Sequence, residues 1–158
     1  MIGMPGAGKS TVGVVLAKRI GYAFVDADLV IQSREGMLLH EIISRRGVEG
    51  FWKVEESVGE SIEAHRTVVA TGGSAVYGER AMRHYKQIGT VVYLSLPLQA
   101  IEERLGDLSM RGVTLKEGQD LAALYAERQP LYERYADQTV DCRDLSIREI
   151  VEKIASFL

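Results

Sequence analysis

The run Gly3-Met4-Pro5-Gly6-Ala7-Gly8-Lys9-Ser10 constrains this chain more than any other feature. It fits G-x-x-x-x-G-K-[S/T] at every defined position, the pattern of a phosphate-binding loop (P-loop). Glycines let the backbone wrap close to a polyanion with its N–H groups turned inward. A helical pattern begins at Lys9 and adds the positive end of its dipole. The motif assigns Lys9 to the outer phosphates of a nucleotide and the Ser10 hydroxyl to Mg2+. The nucleotide-binding set is therefore Gly3, Gly6, Ala7, Gly8, Lys9, Ser10 and Thr11. A glycine-rich turn that merely opens a helix would not need the lysine and serine as well.

A loop of this kind sits between a strand and a helix, and the rest of the chain alternates in the same way. Phe24-Val25, Thr67 to Ala70, Thr90 to Leu96 and Thr139 to Val140 are apolar, β-rich runs with few outward polar positions. That suits strands covered on both faces of a parallel sheet. Helical stretches lie between them. One runs from Lys9 to Ile20 and ends at Gly21; Ala27 to Arg46 reads as two short helices broken near Gly36. Val48 to Ala64 and Glu79 to Ile88 each read as one helix, and Leu121 to Tyr135 should be kinked or broken by Pro130. Ser146 and Glu149 have the capping-box spacing at the start of a last helix. The expected architecture is α/β, three layers around a parallel sheet. Only Met1 and Ile2 precede Gly3, so the first strand is expected to be truncated, with the natural start several residues upstream.

The 158 residues suffice for a single domain, and a net charge of −3 gives no basic field for nucleic acid. One cysteine, Cys142, excludes an internal disulfide. No apolar run approaches the ~20 residues of a membrane span. These features predict a cytoplasmic protein. His40, His65 and His84 are scattered and have no metal-binding spacing.

The metal carboxylate has few candidates. Thr67 to Ala70 runs into Thr71-Gly72-Gly73 and Val91 to Leu96 into Pro97, so neither run ends in an acid. Asp26 and Asp28 follow Phe24-Val25 and reach the carboxyl edge of the sheet, where ligands bind. Mg2+ wants hard oxygen ligands and keeps several waters. One aspartate can then serve the metal and the other a substrate; a helix cap is the alternative, more for Asp28 than for Asp26.

The P-loop, Phe24-Val25-Asp26-Ala27-Asp28, Ala70-Thr71-Gly72-Gly73 and Arg128-x-Pro-Leu-Tyr132 in this order resemble the shikimate kinase family over nearly the whole chain. The resemblance implies a P-loop NTPase fold with a five-stranded parallel sheet, all in a single kinase domain spanning 1–158. It also implies an acceptor-binding subdomain at about Asp28 to Ala64 and a lid at about Gly106 to Gly118. The implied activity is transfer of the γ-phosphoryl group of ATP, with Mg2+, to a hydroxyl of a small-molecule acceptor, by a monomer. Asp26 resembles the aspartate that helps hold Mg2+. Asp28 resembles the one that binds the acceptor's hydroxyls and orients the attacking oxygen. Gly72 and Gly73 resemble the turn that offers N–H groups to the acceptor. Arg111 resembles the lid arginine near the transferring phosphate, and Arg128 the arginine on acceptor and phosphate. Arg104 resembles the arginine that stacks on adenine, and Cys142 to Leu145, with Arg143, the loop beside it. A solvated surface cation is the alternative for Arg104 and Lys116.

The chain departs from the family at the acceptor site. Phe51 and Glu55 stand where the family has Phe and Glu, but Trp52 stands where it has the arginine that pairs with the acceptor's carboxylate. Lys53 is turned about 100° away along a helix. Ser74 replaces the third glycine of the turn, and Gly112 the proline after the lid arginine. The expectation is an altered acceptor site: shikimate or a related small metabolite, with Trp52 either lining the site or buried as a core residue. Arg45 or Arg46 could rebuild the clamp. Gluconate or nucleoside monophosphate kinases, or a non-catalytic nucleotide-binding module, are the competing readings. Retention of Lys9, Ser10, Asp26, Asp28, Arg111 and Arg128 together argues against the module.

Overall fold

Of the apolar runs, Thr90 to Leu96 fits a strand covered on both faces, whereas the strands at Ala23–Asp26 and Gln138–Asp141 keep exposed positions. In a computed structural model, which describes residues 1–105 and 113–158, Val91, Val92, Tyr93, Leu94 and Leu96 are all buried. A run covered on both faces cannot alternate, which is why it reads as continuous. The elements follow in the order α1 (Lys9–Ile20), β1 (Ala23–Asp26), α2 (Ala27–Glu35), α3 (Leu39–Ser61), β2 (Thr67–Ala70), α4 (Glu79–Ile88), β3 (Val92–Ser95), α5 (Leu98–Leu105), α6 (Leu121–Tyr135), β4 (Gln138–Asp141) and α7 (Ile147–Ala155). A single 3-10 turn, Ala75–Tyr77, follows the Gly72-Gly73 turn.

The sheet is present in pieces. β1 pairs with β2, and β3 with β4, both in parallel. Backbone from Met1 and Ile2 lies between the two pairs. Ile2 forms a parallel bridge with Tyr93, its N–H donating to Val92 O and its carbonyl accepting from Leu94 N–H. On the other side Thr71 N–H donates to Met1 O, and the Met1 amine donates to Val69 O. Among the described residues there are thus four strands in two parallel pairs and one isolated bridge at Ile2, and the five-stranded sheet that the resemblance implies is not shown. α1 packs on β1 and β2 and against α7; α3 packs against α2 and α4.

Most boundaries agree with the local chemistry. α1 ends at Gly21, whose φ of 69° is the left-handed conformation glycine tolerates. α7 carries the expected reciprocal cap between Ser146 and Glu149. α3 joins two expected helices across a break at Gly47, where φ is 69° and ψ 174°. Pro130 does not break α6. Pro130 and Ala126 are both exposed, so the carbonyl that loses its intrahelical N–H partner can be hydrated, while Arg128 and Tyr132 anchor the opposite face. α5 has no counterpart among the helices read from the sequence. No helix among the described residues is long and apolar enough to cross a membrane.

Candidate active site

Register brings the site together. Asp26 pairs with Ala70 at the carboxyl ends of β1 and β2, so Asp26-Ala27-Asp28 and Thr71-Gly72-Gly73 leave the sheet side by side. The P-loop leaves the same edge immediately after Ile2. Gly3, at φ 146°, lies so close to β3 that an added Cβ would sit 2.8 Å from Leu94 O. Gly6 and Gly8, at φ 80° and 92°, complete the turn into α1. A cleft of about 330 Å³ opens here, lined by Gly6, Gly8, Lys9, Ser10 and Thr11 on one side and by Asp28, Phe51, Glu55 and Thr71 to Ser74 on the other.

Lys9 is buried, and its Nζ donates to Gly3 O at 2.8 Å and Met4 O at 2.9 Å. Burial lowers its pKa to about 8, against the raising effect of the Asp28 charge. Ser10 Oγ donates to Asp26 Oδ2 at 2.6 Å. Asp26 Oδ1 accepts from Asp28 N–H at 3.0 Å, which makes Asp26, and not Asp28, the N-cap of α2. The Asp28 carboxylate is thereby free of capping and faces the cleft. Burial first, and the Asp26 charge second, push Asp28 up to about 6. The Ser10–Asp26 pair supplies two hard oxygens at one place, a donor set that suits Mg2+ retaining its waters. No group of three or more His, Cys, Asp or Glu side chains among the described residues could cage a metal.

Glu55, which the resemblance places on the acceptor subdomain's helix without a role, belongs to this site. It lies four residues after Phe51 on α3, on the same face. Ser74 Oγ donates to Glu55 Oε2 at 2.6 Å, whereas Oε1 is buried with no hydrogen-bond partner. A Cβ at Gly72 would overlap Glu55 Oε1 and lie 2.8 Å from Asp28 Oδ1, so both carboxylates converge on a turn that only glycine fits. Burial pushes Glu55 up to about 7, with the Ser74 hydrogen bond opposing. The signal was in the sequence: a carboxylate inside the apolar stripe Phe51, Val54, Val58.

Arg128 is 1% exposed and sits at the rim of the Gly72-Gly73 turn, with Nη1 3.1 Å from where a Cβ of Gly73 would be. Tyr132 OH donates to Gly73 O at 2.6 Å and ties α6 to the same turn. Trp52, like Arg128, is not among the residues that line the cleft. It packs on Tyr77 with ring centroids 4.3 Å apart, and its Nε1 donates to Thr114 Oγ1 at 3.3 Å. Neither Arg45 nor Arg46 rebuilds a clamp: both are exposed, and Arg46 pairs with Glu35.

On the nucleotide side, Gly3 and Ala7 shape the loop from behind, and Arg104 at the end of α5 comes within 3.8 Å of the Cβ position of Gly6. Arg143 is exposed beside Asp141 at the end of β4. Arg111, with Gly106 and Gly112, lies outside the described residues.

The family model for shikimate kinase matches residues 5–158 of this chain. The chain is 34% identical, over 165 aligned positions, to shikimate kinase 2 of Yersinia enterocolitica, covering all of this chain and 93% of that protein. It is 36% identical over 162 positions to a shikimate kinase of Francisella tularensis, covering all of this chain and 92% of that protein. Among solved structures, a shikimate kinase from Acinetobacter baumannii in complex with shikimate superposes with a TM-score of 0.88 at 33% identity, covering 99% of this chain and 89% of that one. A shikimate kinase from Aquifex aeolicus gives 0.82 at 30%, covering 98% and 92%.

Proposed function

The chain belongs to the shikimate kinase family of ATP- and Mg2+-dependent phosphotransferases, and from that premise we propose that it transfers the γ-phosphoryl group of ATP to a hydroxyl of shikimate. The observation that carries the reading is the shared cleft: the phosphate loop faces two carboxylates, the half-buried Asp28 and the buried Glu55, across the Gly72-Gly73 turn. A loop alone binds phosphate; a loop opposite carboxylates that can take hydroxyls can pass a phosphoryl group on. The relatives at 34% and 36% identity carry the shikimate kinase name, which does not favour gluconate or nucleoside monophosphate as acceptor.

Bound Mg2+-ATP supplies the phosphoryl group and the charge that the loop is built to hold. Lys9 exchanges its two loop carbonyls for phosphate oxygens, following negative charge through the transfer. Gly3 to Thr11 cradle the phosphates, with Ser10 and Asp26 holding the metal. Arg104 and Arg143 flank the base. Asp28 accepts the proton of the attacking hydroxyl as the new O–P bond forms and the bond to ADP breaks. A carboxylate pushed up to about 6 is mostly ionised at neutral pH yet more basic than an ordinary aspartate. Gly72 and Gly73 offer N–H groups to the acceptor, Arg128 meets its carboxylate, and Trp52 backs that end of the site. Arg111 is the lid arginine of this proposal, in a lid at 106–118. The acceptor subdomain is 28–64. The chain acts as a monomer in the cytoplasm, in keeping with its buried, unpaired Cys142.

A coupled assay of ADP release over shikimate, gluconate and nucleoside monophosphates tests the reading. Shikimate-dependent release is expected. Release with another acceptor and none with shikimate overturns it.

A further inference from the structure

Arg128 is held in a way that points to a residue with no assigned role. Its Nη2 donates to Thr114 Oγ1 at 2.6 Å and to Thr114 O at 3.2 Å, and its Nε donates to Tyr77 OH at 3.2 Å. The guanidinium lies 5.2 Å from the Tyr77 ring centroid. These bonds commit one edge of the plane; among the described residues Nη1, the nitrogen beside Gly73, has no hydrogen-bond acceptor of its own. Thr114 is itself only 2% exposed, and its Oγ1 also accepts from Trp52 Nε1. The one N–H of the indole is therefore spent on Thr114 and is not offered to the cleft.

We propose that Thr114 is a positioning residue that aims Arg128 Nη1 at the acceptor's carboxylate, with Trp52 holding Thr114 in place. The inference rests on shikimate being the acceptor. A guanidinium is a rigid fork on a flexible stem, so its value to a carboxylate depends on being fixed before binding. With Trp52 at position 52, Arg128 has no guanidinium from that position to share the anion. Loss of its aim falls directly on acceptor affinity. Among the described residues, those that line the phosphate-loop side of the cleft do not include Thr114.

The test compares wild type with Thr114→Val, Thr114→Ser and Trp52→Phe in steady-state kinetics with shikimate and ATP. Thr114→Val keeps the backbone carbonyl and volume but removes the hydroxyl. It is expected to raise the shikimate KM by about tenfold or more, with kcat within about threefold. The ATP KM should stay put. Thr114→Ser should restore wild-type values, and Trp52→Phe should raise the shikimate KM in the same direction by less. A wild-type shikimate KM in Thr114→Val, a parallel loss in both substrates, or no rescue by serine overturns the proposal. NMR gives a second readout from the Arg128 Nε–H and the indole N–H of the sole tryptophan. Both signals should move in Thr114→Val and return in Thr114→Ser. If wild type does not turn over shikimate, the functional reading has failed, and these signals alone decide: unchanged resonances overturn the positioning role, and shifted, rescued ones support it.

Discussion

Replacing Glu55 by glutamine should make the ligand-free protein more stable at alkaline pH while impairing its use of acceptor. Glu55 is 5% exposed, one of its oxygens takes the Ser74 hydroxyl, and the other has no partner. Burial pushes its pKa from 4.5 up to about 7. A folded-state value above the unfolded one means a contribution fully present below about 4.5 and lost as pH rises through about 7. At ~1.4 kcal/mol per decade, ionised Glu55 costs the folded state roughly 3 kcal/mol by pH 8. That is a large share of a total stability of about 5–15 kcal/mol. Glutamine keeps an oxygen for Ser74, can turn its amide toward Asp28 Oδ1, and does not ionise. Thermal unfolding followed by circular dichroism between about pH 5 and pH 8 should show wild type losing stability. Glu55→Gln should lose less and melt roughly 5–10 °C higher at the alkaline end. Asp28, pushed up to about 6, acts with the same sign and leaves a smaller residual fall in the variant. Identical pH slopes in the two proteins would refute the reasoning, because the unpartnered carboxylate would then carry no ionisation cost.

Two further outcomes follow from the geometry. Asp26→Asn keeps an oxygen to cap Asp28 N–H but loses the charge beside Ser10, so the Mg2+ concentration for half-maximal rate should rise about tenfold, read from a metal titration; an unaltered titration removes Asp26 from the metal site. Gly72→Ala drives a methyl group into Glu55 Oε1 and Asp28 Oδ1 and should raise the acceptor KM by about tenfold or more, with ATP affinity by calorimetry unchanged; a normal acceptor KM would mean that the carboxylates do not converge on the turn.

The phosphate loop, the aspartate pair and the strand edges were legible because each depends on local chemistry: glycines where the backbone must turn back, and acids at the end of a short apolar run. The break at Gly47 and the cap at Ser146 were legible for the same reason. What was hidden depends on distant chain segments meeting. Asp26 rather than Asp28 caps α2, because the Ser10 hydroxyl and the Asp28 N–H draw on the two oxygens of one carboxylate. Trp52 faces Tyr77 and Thr114 instead of the cleft, a choice made by residues 25 and 62 positions away. Pro130 reads as a breaker from its own chemistry, yet α6 runs through it because Arg128 and Tyr132 are fixed on the far side. Glu55 sat in plain view in the apolar stripe of α3, but its free oxygen appears only once Gly72 and Ser74 are packed against it.

If phosphate loop and carboxylates serve one transfer in one cleft, the γ-phosphoryl group passes directly from ATP to the acceptor. Incubation with shikimate and Mg2+-ATP labelled in the γ-phosphoryl group, followed by mass spectrometry of the products, tests it directly. Labelled phosphate on shikimate in step with ADP release is expected, with its loss in Asp28→Asn. Release of ADP with the label recovered as free phosphate, or no shikimate-dependent release at all, would contradict it.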